Sequence, residues 1–163
     1  MLKRIRRPTF GPMFGLVEEG RPGVRLSASH DCFELLKGDA QADREWLQAL
    51  YLDPKNQLIR QSLESYGTID SSAAYPREIA KHALMCSASA VILAHNHPSG
   101  DPEPSLCDRE LTRDITFALR VLQIKLLDHL IIGARLNGTQ RYFSFGDQGL
   151  IDDYDSMFNG FPR

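Results

Sequence analysis

Three patterns of apolar and polar positions between residues 43 and 145 predict three kinds of element. Residues 46–52 are largely apolar, the Pro- and Asn-containing turn 53–56 follows, and residues 57–62 continue the pattern, which predicts a β-hairpin. Residues 90–94 form a continuous apolar run that includes β-branched side chains. Such a run is typical of a central strand that is buried on both faces.

Helices are predicted where apolar residues recur every three or four positions. The first opens at Tyr75-Pro76-Arg77-Glu78, because proline is tolerated in a first turn. Its expected buried face is Ile79, Ala80, Ala83, Leu84 and Ser87. The second runs from Leu106 to about Leu122, with a face of Leu111, Ile115, Ala118, Leu119 and Leu122. With further strands at 124–132 and 142–145, the chain predicts an α/β domain in which helices pack on a mixed sheet.

The two ends of the chain carry weaker patterns. Residues 1–42 mix Gly, Pro and short apolar pieces, so we expect a loosely packed extension with a short helix at 31–37. The domain itself is expected to span residues 43–151, and 152–163 are expected to be an Asp- and Gly-rich tail. Loops or turns are predicted at 67–72 and 133–138.

Composition narrows the class of protein. A chain of 163 residues with 42% apolar and 25% charged residues fits one globular domain, and its apolar stretches are too short to span a bilayer. The basic start at Lys3, Arg4, Arg6 and Arg7 lacks the apolar segment of a secretory signal, so a cytoplasmic location is expected. Cys32, Cys86 and Cys107 form no disulfide framework, which agrees with a reducing compartment. The net charge of −2 does not support nucleic-acid binding.

The residues that carry chemistry follow the buried strand, where 95–108 read HNHPSGDPEPSLCD. Residues i and i+2 of a strand share a face, so His95 and His97 can present two imidazoles to one point while Asn96 faces away. The Pro-rich loop restricts the approach of the next helix, from whose first turn Asp108 would supply an oxygen. Two histidines and a carboxylate leave one position of a tetrahedral zinc open, so the sequence predicts a catalytic Zn²⁺ site.

Each of these residues also has a structural interpretation. Ser105-Leu106-Cys107-Asp108 has the S-x-x-D spacing of a capping box, and an isolated HxH is a weak signal. The strand, loop and helix start taken together favour the metal. Cys107 is expected to pack, because its side chain points about 100° away from that of Asp108. His129 is interpreted as support for the fold or for the ligands, and His30 and His82 are left outside the site.

HxH, seven intervening residues and S-x-x-D resemble the JAMM motif of JAB1/MPN metalloproteases, and HNHPSGDPEPS with Asp108 resembles the bacterial RadC family. Further matches are Leu50-Tyr51-Leu52-Asp53, Lys55-Asn56, Gly67-Thr68, Tyr75-Pro76-Arg77-Glu78 and Asp128-His129-Leu130-Ile131-Ile132-Gly133. The resemblance covers about 43–151. It implies a single MPN/JAB-type domain related in fold to cytidine deaminases, with zinc-dependent peptidase or isopeptidase chemistry. The helix-hairpin-helix region usual in the family is not evident in 1–42.

The JAMM resemblance also implies a glutamate that acts as general base. Glu45 is the choice, because it precedes the apolar strand 46–52 in the register where MPN enzymes carry theirs. Glu64 in the second strand is the competitor, and Glu45 has the alternative interpretation of an exposed charge before a strand. Glu78 and Glu103 are interpreted as a helix-start charge and a solvated loop residue.

The implied reaction is hydrolysis of an amide bond. Glu45 would take a proton from water and return it to the leaving amine, and Ser105 would donate a hydrogen bond to the tetrahedral oxyanion. The expected substrate is a protein or peptide, with a ubiquitin-like or sulfur-carrier protein among the alternatives.

Other classes of function fit less well. The strongest rival is a non-catalytic MPN-type scaffold in DNA repair or recombination, although such modules usually lose a ligand that this chain keeps. An HNH nuclease would need dispersed residues and a basic surface. A zinc nucleobase deaminase would need H-x-E and P-C-x-x-C, which the sequence lacks.

Overall fold

A computed structural model describes residues 16–19, 23–39, 43–67, 76–136 and 139–159. The strands are β1 (Leu16–Glu19), β2 (Glu45–Leu52), β3 (Leu58–Gly67), β4 (Ala90–Asn96), β5 (Lys125–Leu136) and β6 (Thr139–Ser144). The helices are α1 (Ser29–Leu36), α2 (Pro76–Met85), α3 (Leu106–Val121) and α4 (Leu150–Asn159). None of these helices is long and apolar enough to cross a membrane. The basic N-terminal arm and the loop 68–72 lie outside the described residues.

The described strands form one mixed sheet in the order β1-β3-β2-β4-β5-β6. β2 and β3 pair antiparallel across the turn at Asp53, whose carboxylate accepts hydrogen bonds from the backbone N–H groups of Lys55 and Gln57. The predicted hairpin is therefore confirmed. β4 and β5 are parallel, and because parallel neighbours need a crossover, α3 connects them across one face of the sheet.

Helices cover both faces of this sheet, so it carries two apolar cores. On one face Ala49 and Val91 pack with residues of α2, α3 and α4, and on the other Leu50 and Ile92 pack with residues of α1. β4 lies between the two cores and every one of its residues is buried. The fold class and the doubly buried central strand are thus as the sequence predicts.

The ends of the chain are more ordered than expected. Leu26, Cys32, Phe33 and Leu36 are buried against the sheet, and β1 pairs with β3. The expectation of a loosely packed segment is therefore wrong for residues 24–37, although the short helix expected at 31–37 is confirmed by α1. The expected C-terminal tail is helical through α4, and Ile151 lies in the core beside α3.

The helix faces are only partly as predicted. Ile79, Ala83, Ile115 and Leu119 are buried, but Leu84 and Leu122 are 56% and 38% exposed because they lie at the ends of their helices. Polar side chains are buried in the interior of both helices instead, namely His82, Thr112 and Thr116. Buried polar groups need hydrogen-bond partners, and those partners define two polar clusters on this face of the sheet.

Candidate metal centre

The two histidines of the HxH sequence converge at the end of β4. His95 lies near the last residue of the strand and is 1% exposed, and His97 follows the strand directly. Alternation along the strand turns both imidazoles toward α3, and the Nε2 atoms of His95 and His97 are 2.9 Å apart. The structure therefore brings together the two nitrogens of the HxH sequence.

Asp108 approaches this pair from the first turn of α3. Its Oδ1 lies 3.2 Å from His95 Nε2, and its Oδ2 lies 3.5 Å from His97 Nε2. Asp108 Oδ2 also accepts hydrogen bonds from the Ser105 backbone N–H at 2.7 Å and from the Ser105 hydroxyl at 2.6 Å. The capping box and the predicted ligand are thus one arrangement: Ser105 orients the carboxylate that contacts both histidines.

The charges in this group favour a cation. Burial opposes ionisation of Asp108, but contacts with His95, His97 and Ser105 hold the pKa of its carboxyl well below the usual range. Burial also opposes charge on His97, yet Asp108, the backbone oxygen of Asp101 and Glu45 raise the pKa of its imidazole. A buried anion beside two imidazoles therefore favours one positive charge at this point, carried by a proton or by a metal ion.

The Pro-rich loop holds His97 from its other side. The carbonyl oxygen of Asp101 lies 2.8 Å from His97 Nδ1, and a carbonyl can only accept, so Nδ1 carries a hydrogen. Neutral His97 then has its lone pair on Nε2, which faces His95 and Asp108. Gly133 allows the loop to approach this closely, because a Cβ there would lie 2.5 Å from the carbonyl oxygen of Gly100.

Glu45, the first residue of β2, borders the same group. Its Oε1 lies 3.9 Å from His97 Nε2, and its side chain is 25% exposed. Asn96 faces away from the histidines as predicted, and its side chain binds the backbone on both sides of Glu45. Asn96 Oδ1 accepts from the Trp46 N–H at 2.8 Å, and Asn96 Nδ2 donates to the Arg44 carbonyl at 3.1 Å. The middle residue of the HxH sequence therefore positions Glu45. We call Glu45, His95, His97 and Asp108 the metal cluster.

The competing glutamates lie elsewhere. Glu64 is 4% exposed on β3, where its Oε1 accepts from the Tyr51 hydroxyl at 3.2 Å, contacts His82 Nδ1 at 3.3 Å and accepts from the Ser62 hydroxyl. We call Tyr51, Ser62, Glu64 and His82 the Glu64 cluster. Glu78 pairs with Lys81 and Glu103 pairs with Arg109 at the surface. Of the glutamates weighed in the sequence, Glu45 is the one that the structure brings to the histidines.

His129 and Thr112 lie behind His95. The sequence left the role of His129 open and gave no role to Thr112. His129 Nε2 lies 2.8 Å from His95 Nδ1, and His129 Nδ1 lies 2.7 Å from the Thr112 hydroxyl. Complete burial lowers the pKa of His129 well below its ordinary value, so its ring is neutral. Thr112 lies four residues after Asp108 in α3, and this spacing, which places the two residues on one helix face, is the feature of the sequence that points to Thr112.

Cys107 is exposed, so the expectation that it packs is wrong.

The metal cluster fits a zinc ion. Tetrahedral Zn²⁺ with bonds of about 2.0–2.1 Å separates its ligand atoms by roughly 3.3 Å. The separations among His95 Nε2, His97 Nε2 and the Asp108 oxygens are 2.9, 3.2 and 3.5 Å. Glu45, His95 and His97 each bring one ligand atom within 4.8 Å of the others. The described residues therefore supply three ligand atoms of a type and spacing that suit zinc, with the Glu45 carboxylate beside them.

Comparison with known proteins identifies the family to which this fold belongs. The family model described as "RadC-like JAB domain" matches residues 26–150, a range that begins just before α1 and includes it. The chain is 42% identical over 131 residues to UPF0758 protein YkfG of Escherichia coli (strain K12), covering 80% of each chain. It is 47% identical over 109 residues to a UPF0758 protein of Histophilus somni (strain 2336), covering 67% of this chain and 47% of that relative. The chain thus spans about half the length of the second relative.

Proposed function

We propose that this chain, which belongs to the RadC-like JAB domain family, is a zinc-dependent hydrolase of amide bonds. The observation that carries the proposal is the convergence of His95, His97 and Asp108, with the separations that zinc requires, beside a partly exposed glutamate. A structural zinc site would be closed by a fourth protein ligand. Three ligands next to a solvent-accessible carboxylate are typical of a catalytic site.

His95, His97 and Asp108 would hold the ion. When bound, zinc supplies a Lewis acid that polarises a carbonyl group and makes water nucleophilic near neutral pH. Asp108 is already ionised by its surroundings, and the hydrogen on His97 Nδ1 leaves Nε2 to bind. A bound ion would take the place of any proton held between Nε2 of the two histidines and the Asp108 carboxylate.

Glu45 would move the protons of the reaction. Its carboxylate lies beside His97 and is partly open to solvent, so it can take a proton from an attacking water and return it to the leaving amine. Asn96 holds the backbone before and after Glu45, which keeps the carboxylate close to the ligands. A positioned base of this kind contributes roughly 10²–10⁴-fold to a rate.

Ser105 has two proposed roles that compete for one hydrogen. Its hydroxyl donates to Asp108 Oδ2, and this contact supports a role in orienting the ligand. Donation to a tetrahedral oxyanion would require the hydroxyl to turn away from Asp108. The contacts favour orientation of Asp108, and the oxyanion role stays a prediction.

The proposed substrate is a protein or peptide, as in the metalloproteases that carry the same spacing of ligands. A non-catalytic scaffold would keep the fold and could keep the metal, but would not need a proton-transfer group beside the ligands. The position of Glu45 beside His97 therefore favours the enzyme. The test below distinguishes the enzyme from the non-catalytic scaffold.

The test is hydrolysis by zinc-loaded protein of a panel of linear peptides and of isopeptide-linked ubiquitin-like conjugates, compared with the variant Glu45→Gln. We expect at least one substrate to be cleaved, a loss of about 10²–10⁴-fold in turnover in the variant, and equal zinc content in both proteins. Zinc-loaded protein that cleaves none of the panel would support the scaffold. Cleavage that survives Glu45→Gln would overturn the role of Glu45.

A further inference from the structure

We infer that Thr112 and His129 are positioning residues that fix the tautomer of His95 and tie it to the helix that supplies Asp108. The inference rests on the proposed function for its metal ion, but the hydrogen bonds themselves can be tested without metal. The chain of contacts runs from the Asp108 carbonyl through Thr112 and His129 to His95. Each hydrogen in this chain can be assigned in turn.

The assignment begins at the backbone of α3. Thr112 Oγ1 lies 2.5 Å from the carbonyl oxygen of Asp108. Two oxygens this close need a hydrogen between them, and a carbonyl has none to give. The hydroxyl of Thr112 therefore donates to Asp108, and its single hydrogen is committed.

The next two hydrogens follow from the first. Thr112 Oγ1 can only accept from His129 Nδ1, which lies 2.7 Å away, so Nδ1 of His129 carries a hydrogen. His129 is completely buried, which favours its neutral form, and its Nε2 is then an acceptor. His95 Nδ1 lies 2.8 Å from that acceptor and must donate. The lone pair of His95 is consequently on Nε2, the atom that faces His97 and Asp108.

We call this chain of hydrogen bonds from the Asp108 carbonyl to His95 the relay. It joins two ligands, Asp108 and His95, through the Thr112 hydroxyl. Thr112 lies one helical turn after Asp108, so the same first turns of α3 supply a ligand and support another. His129 is held in plane by stacking on Phe145, with ring centroids 5.2 Å apart and an interplanar angle of 15°. Outer hydrogen bonds of this kind select the tautomer and the ring orientation of a histidine ligand, and their loss typically costs about 10–100-fold in metal affinity.

The helix offers a matched control. Thr116 is also buried, lies one further turn along α3, and donates its hydroxyl to the Thr112 carbonyl at 2.8 Å. Thr116→Val therefore removes the same kind of buried hydroxyl from the same helix as Thr112→Val. Thr112→Ser keeps the hydroxyl and serves as the conservative rescue.

The first readout is the tautomer of each histidine in metal-free protein, measured by long-range ¹H–¹⁵N NMR on ¹⁵N-labelled histidine and assigned with His129→Gln and His95→Gln. We expect hydrogen on Nδ1 in both His129 and His95, and mixed tautomers of both in Thr112→Val but not in Thr116→Val. A His129 that carries its hydrogen on Nε2 in the unaltered chain would overturn the relay.

The second readout is affinity for Zn²⁺, measured by competition with a chromophoric chelator, together with the visible absorption of Co²⁺-substituted protein. Thr112→Val should weaken zinc about 10–100-fold and alter the Co²⁺ spectrum, whereas Thr112→Ser and Thr116→Val should bind as the unaltered chain does. Equal affinities for Thr112→Val and Thr116→Val would also overturn the inference. Failure of the unaltered chain to bind either metal would instead defeat the proposed function, and the tautomers would still decide the relay.

Discussion

The metal cluster and the Glu64 cluster lie on the same face of one sheet, and each brings a glutamate near histidine, yet their hydrogen bonds differ. In the Glu64 cluster the Tyr51 and Ser62 hydroxyls and the His82 ring surround one carboxylate. In the metal cluster the lone pairs of His95 and His97 and the Asp108 carboxylate face one another. The first arrangement has donors for its acceptor, and the second needs a positive charge from outside the set. Residue types alone therefore do not identify a ligand site; the balance of donors and acceptors does.

Breaking the Glu64 cluster should produce the largest loss of stability. Glu64→Ala removes the common partner of Tyr51, Ser62 and His82. The two hydroxyls can still pair with each other at 2.9 Å, but His82 Nδ1 and one hydroxyl hydrogen are left without a partner, and each such group costs about 1–3 kcal/mol. We therefore expect a decrease of about 2–6 kcal/mol in the free energy of unfolding, measured by urea denaturation of metal-free protein. The milder Tyr51→Phe, which removes one hydroxyl, should cost about 1–2 kcal/mol and covers the case in which Glu64→Ala does not fold.

The matched control for Glu64→Ala is Glu45→Ala in the other cluster. Glu45 is partly exposed and its Oε1 lies 3.9 Å from His97 Nε2, so its loss should change the free energy of unfolding by less than about 1 kcal/mol. Zinc affinity should be unchanged in Tyr51→Phe. A Tyr51→Phe protein that loses zinc would contradict the assignment of metal binding to the metal cluster alone. A Glu45→Ala protein as unstable as Glu64→Ala would contradict the assignment of the larger stabilising role to the Glu64 cluster.

The sequence predicts the metal cluster better than the Glu64 cluster for a physical reason. His95, His97 and Asp108 lie within one strand, loop and helix start, so local periodicity determines how their side chains point. Glu64 and His82 meet only through the packing of α2 on β3, and nothing in their spacing indicates this. Glu45 is predicted less directly than the three ligands but more directly than the Glu64 cluster. Its position beside the histidines depends on the pairing of β2 with β4, whose register the hairpin pattern does not specify.

The error at the start of the chain has a similar cause. The short helix expected at 31–37 is present as α1, but an apolar pattern of only 8 residues does not indicate that Phe33 and Leu36 pack in the core. His129 follows the buried pattern of β5, so its sequence surroundings resemble those of a core residue. Its contact with His95 is a long-range contact between neighbouring strands, and only the parallel register of β4 and β5 reveals it.

A smaller effect is expected where the loop that supports His97 crosses β5. In Gly133→Ala the new Cβ would lie 2.5 Å from Gly100 O and 3.0 Å from Pro102 Cδ, so the loop must move. We expect a loss of about 1–3 kcal/mol in unfolding free energy and a severalfold weaker affinity for zinc, because the Asp101 carbonyl moves with the loop. Urea denaturation and zinc competition measure the two effects.

Gly38→Ala provides the control for that substitution, because a Cβ at Gly38 would meet no heavy atom within 4 Å. Its unfolding free energy and zinc affinity should stay close to those of the unaltered chain. Zinc affinity that is unchanged in Gly133→Ala would mean that the loop contact does not orient His97.

The central claim is that the metal cluster is a zinc site and the Glu64 cluster is not. The most direct measurement is the zinc content per chain, by elemental analysis of protein purified without chelator and dialysed against a limited excess of Zn²⁺, for the unaltered chain, His97→Ala, Asp108→Asn and Tyr51→Phe. The account predicts about one zinc per chain in the unaltered protein and in Tyr51→Phe, and loss of zinc in the other two. No zinc in the unaltered chain, or equal zinc in all four proteins, would contradict it.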